Sequence, residues 1–183
     1  VVDENDFIVD FSGDLYATIF DKKSTFSILD NDGALLPIDT TLFELHKNII
    51  YKGAVSVSNG YFNFEFIVPK DISYQYNSGK ISYYAVDSIN GDASGFDKDI
   101  IIGGASNNAI ADSEGPEIQL FMNDTNFVSG GYTNTDPELL ALLFDESGIN
   151  TVGTGIGHDL IAVLDDNVAD QKILNNYYDA DFN

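Results

Sequence analysis

The side chains that could carry catalytic chemistry are few in this chain. Its 183 residues include 30 acidic residues, 8 lysines and 2 histidines, and they contain no Cys and no Arg. The lack of Cys excludes a thiol nucleophile, a disulfide and a Cys-ligated metal. The adjacent pair His158-Asp159 would need a nucleophile to form a triad, and neighbouring strand residues point to opposite faces. We therefore predict no catalytic residue, with His158 fixing a glycine-rich turn and His46 lying on the surface or between modules.

Acidic clusters are the second candidate for chemistry, because hard cations bind carboxylate and carbonyl oxygens in turns. The favoured calcium candidates are Asp87, Asn90, Asp92 and Asp97, and two weaker clusters lie at 30–32 and 165–167. None of them matches the 12-residue calcium loop that ends in Glu. Asp, Asn and Gly also favour turns for backbone reasons. The sequence therefore predicts no cofactor and leaves a calcium site at 87–97 as an alternative.

Two further ligand classes have weak signals. The glycines at 153, 155 and 157 do not meet the spacing of a dinucleotide-binding loop, and no helical unit follows them. Some of the 10 tyrosines could form a sugar-binding platform, although the chain has no Trp. The candidates are Tyr74, Tyr76, Tyr83, Tyr84, Tyr177 and Tyr178. Packing in the core and at sheet edges is the alternative interpretation of these rings.

The charge excludes two classes of partner. The formal net charge is −22, so the surface repels nucleic-acid backbones and anionic membranes. No apolar stretch approaches the length of about 20 residues that a membrane-spanning helix needs. A hydrophobic content of 44% nevertheless indicates a folded core. We expect neither nucleic-acid binding nor direct membrane insertion.

The elements that must position these side chains are strands. Asn59-Gly60 favours a type I′ hairpin turn that pairs Ser58 with Tyr61. Alternation then places one apolar set on a single face: Val55, Val57, Phe62, Phe64, Phe66 and Val68. Further strands are predicted at 15–20, 25–29, 41–45, 80–87, 96–102, 117–122, 127–130, 138–145, 150–152, 159–165 and 173–178, with a loop at 90–95.

Strands that recur every 8–15 residues without a helical period predict an all-β fold of antiparallel sandwiches. We expect two tandem immunoglobulin-like modules at 1–105 and 112–183, joined by a small polar linker at 106–111. The second module is shorter than the roughly 100 residues of a complete sandwich, so we expect it to be incomplete. The acidic N-terminus without Met indicates a piece of a longer chain.

Several stretches resemble a known family. They are FEFIVPKDI at 64–72, GKISYYA at 79–85, GPEIQLFMND at 115–124, LLFDESGINTVGTGIGHD at 142–159 and NNYYDA at 175–180. In this order they are similar to the region after the catalytic domain in the PorU family. These are gingipain-like C25 cysteine peptidases that act as sortases of the type IX secretion system in Bacteroidetes. The resemblance covers the chain from about residue 15 onward.

The resemblance implies a parent enzyme on the extracellular face of the outer membrane of a Gram-negative bacterium. It implies three partners: the catalytic domain of the parent chain, an outer-membrane barrel of the PorV type, and secreted cargo whose C-terminal signals are removed. No catalytic residue carries over, since the family's Cys and His lie upstream of this region. The resemblance implies a non-catalytic role in support or docking. The alternatives are a cell-surface adhesion or glycan-binding module and, more remotely, a hydrolase that uses surface carboxylates.

Overall fold

The computed structural model describes residues 1–5, 7–28, 42–69, 72–107, 113–152 and 159–181. Within these ranges the chain is all-β, with two short 3-10 turns at Val168–Asp170 and Asn175–Tyr177. The strands are β1 (Gly13–Phe20), β2 (Ser24–Ser27), β3 (Leu42–Leu45), β4 (Ile49–Val57), β5 (Asn77–Ser78), β6 (Lys80–Asp87), β7 (Gly91–Asp97), β8 (Ile101–Ile102), β9 (Glu117–Met122), β10 (Leu139–Phe144), β11 (Ile161–Ala162) and β12 (Lys172–Ile173). The predicted all-β, antiparallel class is confirmed, whereas the arrangement as tandem immunoglobulin-like modules stays a prediction.

The main sheet has four antiparallel strands in the order β4-β1-β6-β7. In its centre, Leu15 lies opposite Val55 on one side and Ala85 on the other. All three residues are buried, because the odd-numbered residues of β1 point toward the core. Alternation along the strands thus gives this sheet one buried, apolar inner face and one exposed outer face.

An aromatic segment covers the inner face. Phe64 and Phe66 lie 5.5 and 4.9 Å from the Tyr51 ring, measured between ring centroids. Beside them, Ile19, Ile50 and Val152 form a second buried cluster. Aromatic pairs at such separations stabilise a core beyond the area that they bury. The segment 62–69 therefore acts as a second layer on the sheet.

The predicted turn at Asn59-Gly60 is confirmed. Both residues have positive φ, 51° and 83°, and Ser58 and Tyr61 exchange two backbone hydrogen bonds of 2.9 and 3.0 Å. The prediction that 62–68 continues as a paired strand is wrong, because no ladder extends beyond this pair. After Tyr61 the chain leaves the edge of β4, and the Phe64 and Phe66 rings pack on the core.

Other predicted elements differ from the structure in specific places. The residues 90–95, predicted as a loop, mostly belong to β7, because β6 supplies a complete ladder partner from Ile81 to Asp87. The predicted strands at 127–130 and 150–152 are wrong, since these residues form turns and irregular backbone. The strands at 80–87 and 117–122 coincide with β6 and β9.

Two compact units are present. The first contains 1–106 together with 150–183, and the second contains 107–149. Within the first unit, the Ala180 N–H donates to the Lys52 carbonyl at 2.8 Å, and Asp179 pairs with Lys52 at 2.8 Å. The residues after 150 thus pack on the first sheet. The predicted division into modules 1–105 and 112–183, with a linker at 106–111, places residues 150–183 in the second module instead of the first unit. That division stays a prediction.

The second unit is built on the β9–β10 hairpin. Asn123 holds the connection between the two strands. Its backbone N–H donates to the Glu138 carbonyl, and its side-chain Oδ1 accepts the Glu138 N–H. Its side-chain Nδ2 donates to Thr133 Oγ1 at 2.9 Å. Among the described residues of the whole chain, no helix is long and apolar enough to cross a membrane.

Candidate functional site

Asp87 is the most heavily bonded carboxylate among the described residues. It ends β6 with only 4% of its surface exposed. Oδ1 accepts the N–H groups of Ile89 and Asn90 at 2.8 and 3.3 Å, which closes the turn into β7. Oδ2 accepts the Ser12 N–H at 2.9 Å and Asn90 Nδ2 at 2.7 Å. Asp87 therefore ties the β6–β7 turn to the segment before β1.

These hydrogen bonds determine the protonation of Asp87. The Ser12 N–H has the largest effect, followed by that of Ile89, and together with Asn90 they lower the pKa of Asp87 to about 2. A carboxylate that accepts several N–H groups is stabilised in its charged form. With both oxygens occupied by donors from the protein, Asp87 acts here as a structural anchor.

The other calcium candidates lie apart from this anchor. Asn90 points its amide nitrogen at Asp87 and at the Asp10 carbonyl, 2.9 Å away, so it acts as a donor. Asp92 is the second residue of β7 and accepts a hydrogen bond from the Tyr84 hydroxyl at 2.8 Å. Asp97 lies five residues farther along the strand, a distance of about 17 Å. No three His, Asp or Glu side chains in the described ranges lie close enough to hold a metal, and the calcium alternative stays a prediction.

His46 belongs to a partly buried polar corner after β1. Its Nδ1 lies 2.9 Å from the Asp21 backbone oxygen. The Asp21 carboxylate and the Lys22 amine are both buried and lie 2.8 Å apart, and Lys22 also approaches the Ile102 carbonyl at 3.5 Å. Buried ion pairs of this kind fix an arrangement more than they stabilise it. The contact of the His46 ring with backbone is consistent with a structural role.

Some sequence candidates lie outside the described residues. These are His158, the glycines at 153, 155 and 157, and the cluster at 30–32. The cluster at 165–167 is exposed, and Asp165 and Asp166 both adopt positive φ. Left-handed backbone at two successive Asp residues is typical of a turn.

The outer face of the main sheet carries an organised set of side chains. We define this outer face as the even-numbered residues of β1, β6 and β7 together with those of β4 from Lys52 onward. Tyr16 and Tyr84 lie opposite each other on β1 and β6, with ring centroids 6.4 Å apart, and are 49% and 45% exposed. Phe96 on β7 is 65% exposed. Exposed rings side by side on a flat sheet indicate an interaction surface.

Lysines cluster at one end of the outer face. The Lys80 Nζ lies 5.6 Å from the Phe20 ring and 5.9 Å from the Phe96 ring. The Lys98 Nζ lies 4.6 Å from the Phe96 ring. Within the described part of the chain neither amine forms an ion pair, so aromatic faces are their neighbours. This concentrates positive charge in a chain whose net charge is −22.

Sequence reasoning identified Tyr84 but missed Tyr16 and Phe96. Tyr83 instead faces the core, where it packs 5.6 Å from Phe62 and burial raises its pKa. Alternation within Gly13–Phe20 could have placed Tyr16 on the surface. Its position beside Tyr84, however, depends on the register between β1 and β6, which pairs residues almost 70 positions apart.

Comparison with known proteins gives a match among solved structures. No protein-family model and no curated protein matches the chain. Among solved structures, the crystal structure of dimeric latent PorU from Porphyromonas gingivalis matches with a TM-score of 0.56 and 34% identity over 96% of this chain. The chain is related to a region of PorU. It spans 16% of the length of that PorU chain.

The relation to PorU fits the geometry of the candidate site. The match extends through both compact units, so it does not rest on a single hairpin. The 183 residues contain no Cys, and the His residue that the structure describes makes a backbone contact. A non-catalytic region of a PorU-like protein is consistent with both observations.

Proposed function

We propose that the chain is a non-catalytic support or docking region of a cell-surface, gingipain-like cysteine peptidase of the PorU type. The observation that carries this proposal is 34% identity to PorU over 96% of the chain, at a TM-score of 0.56. The parent enzyme would process the C-terminal signals of secreted cargo. Its catalytic domain, a PorV-type outer-membrane barrel and the cargo are the proposed partners.

Long-range polar bonds within the chain favour a role as a structural support. Residues far apart in sequence are joined by polar anchors: Asp87 to Ser12, and Lys52 to Asp179. The side chain of Asn175 joins two further segments, accepting the Leu160 N–H at 2.9 Å and donating to the Thr151 carbonyl at 3.1 Å. Such long-range bonds hold surface loops in fixed positions, as a spacer or docking platform requires.

The native protein tests this proposal directly. An antibody raised against the 183-residue chain would isolate it from its source cells, followed by intact-mass measurement and labelling with a thiol-directed active-site probe. We expect a much larger, surface-exposed polypeptide that the probe labels. A small unlabelled polypeptide would overturn the peptidase assignment. The isolated chain should cleave no member of a general peptide pool.

A cell-surface adhesion or glycan-binding module is the second candidate. The exposed Tyr16 and Tyr84 rings favour it, because paired aromatic rings on a sheet can stack against sugars. Binding on a glycan array, lost in Tyr16→Ala and retained in Tyr61→Ala, would support this function. Tyr61 is a suitable control since it is exposed and lies outside the main sheet.

A further inference from the structure

The β9–β10 hairpin has one face on which every side chain is apolar. Alternation places the side chains of every second register row on the same side of the two strands. We call one of these sides the apolar hairpin face; it consists of three facing pairs, Ile118 with Leu143, Leu120 with Ala141, and Met122 with Leu139. Ile118, Leu120 and Leu139 are 57%, 61% and 44% exposed. Neighbouring exposed apolar side chains of this kind mark a surface that another surface covers.

The opposite face of the same hairpin is different. On β9 it carries Glu117 and Gln119, whose side chains share a hydrogen bond of 2.8 Å. Polar and apolar residues therefore alternate along the first part of β9. This alternation is typical of a strand with one solvated side and one buried side. The apolar hairpin face is thus the side that the sequence pattern predicts to be buried.

The compact unit that contains this hairpin is too small to cover it. The unit comprises 107–149, and its described residues outside β9 and β10 form turns and irregular backbone. The residues that follow, from 150 onward, belong to the other unit. A two-stranded hairpin alone is at best marginally stable in water, and so short a unit buries little of its surface. The layer that completes the hairpin therefore comes from outside this unit.

Charge and length distinguish between the possible occupants of the apolar hairpin face. Two copies that each carry a net charge of −22 repel each other, and the same charge opposes an anionic membrane. A segment of the same polypeptide overcomes such repulsion, because the covalent link gives it a high effective concentration. The chain spans 16% of the PorU chain to which it is related, so most of a parent of that kind lies outside these residues.

We infer that the apolar hairpin face is a docking surface for the parent polypeptide, covered by strands of the part that lies outside these 183 residues. This inference rests on the proposed function, because it requires a longer parent chain. The docking strands form a second layer about 10 Å from the hairpin, with large apolar side chains at alternate positions. Ile118 and Leu120 are the anchors, since they are the most exposed members of the face.

The lack of Cys in the chain permits a specific labelling experiment. Leu120→Cys places a thiol on the apolar hairpin face, and Gln119→Cys places the control thiol on the opposite face of the same strand. Both variants are made in the 183-residue chain and in the full-length parent expressed from its own gene. The label is N-ethylmaleimide, and peptide mass mapping separates these positions from any Cys elsewhere in the parent. In the 183-residue chain the two thiols should react at rates within about threefold of each other, because both positions are exposed.

The parent should protect one thiol and not the other. Leu120→Cys should react at least about 100-fold more slowly in the parent than in the 183-residue chain, since labelling then requires the docked layer to open. Gln119→Cys should keep its rate within about threefold. Hydrogen exchange of the native sequences needs no substitution, so it excludes a folding defect as the cause. The amides of β9 and β10 should exchange at least about tenfold more slowly in the parent.

The outcomes that would overturn this inference differ from one another. Equal labelling and equal exchange in a large parent would overturn it and leave the proposed function standing. Protection that appears in the 183-residue chain as its concentration is raised would show that a second copy is the occupant. Protection in the parent isolated from its cells, but not in the purified recombinant parent, would show that a separate protein is the occupant. A native polypeptide with a mass near 20.0 kDa would overturn the proposed function and this inference together.

Discussion

At the scale of single residues, Asp87 shows how an acidic loop can serve the fold. The sequence predicted no cofactor and left a calcium site at 87–97 as an alternative; in the structure, the donors that Asp87 binds come from its own turn and from Ser12, 75 residues away. The turn was predictable, because Asp, Asn and Gly recur there. The Ser12 contact was not, since it depends on the pairing of β1 with β6.

Replacing Asp87 with Asn should lower the melting temperature at pH 7 by several degrees, because a neutral amide cannot accept from four donors. The pKa of Asp87 is depressed to about 2, so its charge stabilises the native state above the unfolded pKa of about 3.9. This contribution should be lost as the pH falls through about 2. Thermal melts of the native and variant chains from pH 7 to pH 2 should therefore converge at the acid end. Asp99→Asn, at an exposed position, is the control, and a pH-independent difference would contradict the prediction.

Gly13 and Gly95 give a matched pair of backbone tests in the same sheet. A Cβ at Gly13 would lie 2.0 Å from the Val86 carbonyl oxygen, whereas a Cβ at Gly95 would meet nothing within 4 Å. Gly13→Ala should lower the free energy of unfolding by at least about 2 kcal/mol, because β1 and β6 must separate to accept it. Gly95→Ala should change the free energy by less than about 0.5 kcal/mol. Urea denaturation measures both, and equal effects would show that the β1–β6 contact is looser than described.

At the scale of elements, the aromatic segment 62–69 explains both a success and a failure of sequence reasoning. Alternation correctly placed Phe64 and Phe66 on the core side and Tyr61 and Ile67 outside. The same alternation also predicted a paired strand, and this was wrong. A side-chain pattern indicates which face is buried, but it does not show whether the backbone groups are hydrogen-bonded to a neighbouring strand. The opposite error occurred at 90–95, where a loop was predicted but most residues belong to β7. These residues have weak strand propensity, and pairing with β6 outweighs it.

Phe66→Ala should lower the free energy of unfolding by about 2–4 kcal/mol, since it removes a ring 4.9 Å from Tyr51 and leaves a cavity over the sheet. Tyr61→Ala, at an exposed position five residues earlier in the chain, should cost less than about 0.5 kcal/mol. Chemical denaturation of the two variants under the same conditions provides the measurement. A small effect for Phe66 would mean that the segment does not form the second layer.

At the scale of the whole molecule, the packing of Val152 and of the residues near Ala180 on the first sheet is the feature that sequence could not supply. Val152 is fully buried beside Ile19 and Ile50. The tandem-module prediction assigned this stretch to the second module because it follows in sequence. Contacts between residues more than 100 positions apart carry no local signal, and only the folded chain reveals them.

Val152→Ala should therefore affect strands distant in sequence. We expect a loss of about 1–3 kcal/mol, from the two methyl groups removed and the space that they leave. Hydrogen exchange should accelerate in β1 and β4, because Ile19 of β1 and Ile50 of β4 share one buried cluster with Val152. Exchange that accelerates only after residue 150 would contradict cooperative packing. Val128→Ala, at an exposed site of the other unit, is the control.

The parallel contact between Ala180 and Gly53 has a mechanical consequence. A tensile load applied beyond Ala180 acts along the direction of β4 and shears the contact. Among the described residues, the Ala180 N–H bond to the Lys52 carbonyl and the Lys52–Asp179 ion pair join the chain to β4 at this point and oppose that load. Release of the chain back to Val152 would also break the Asn175 bonds to Leu160 and Thr151, and it would add about 100 Å of slack. A load on this segment would therefore break contacts in sequence, beginning at the parallel contact, before it acts on the antiparallel sheet behind it.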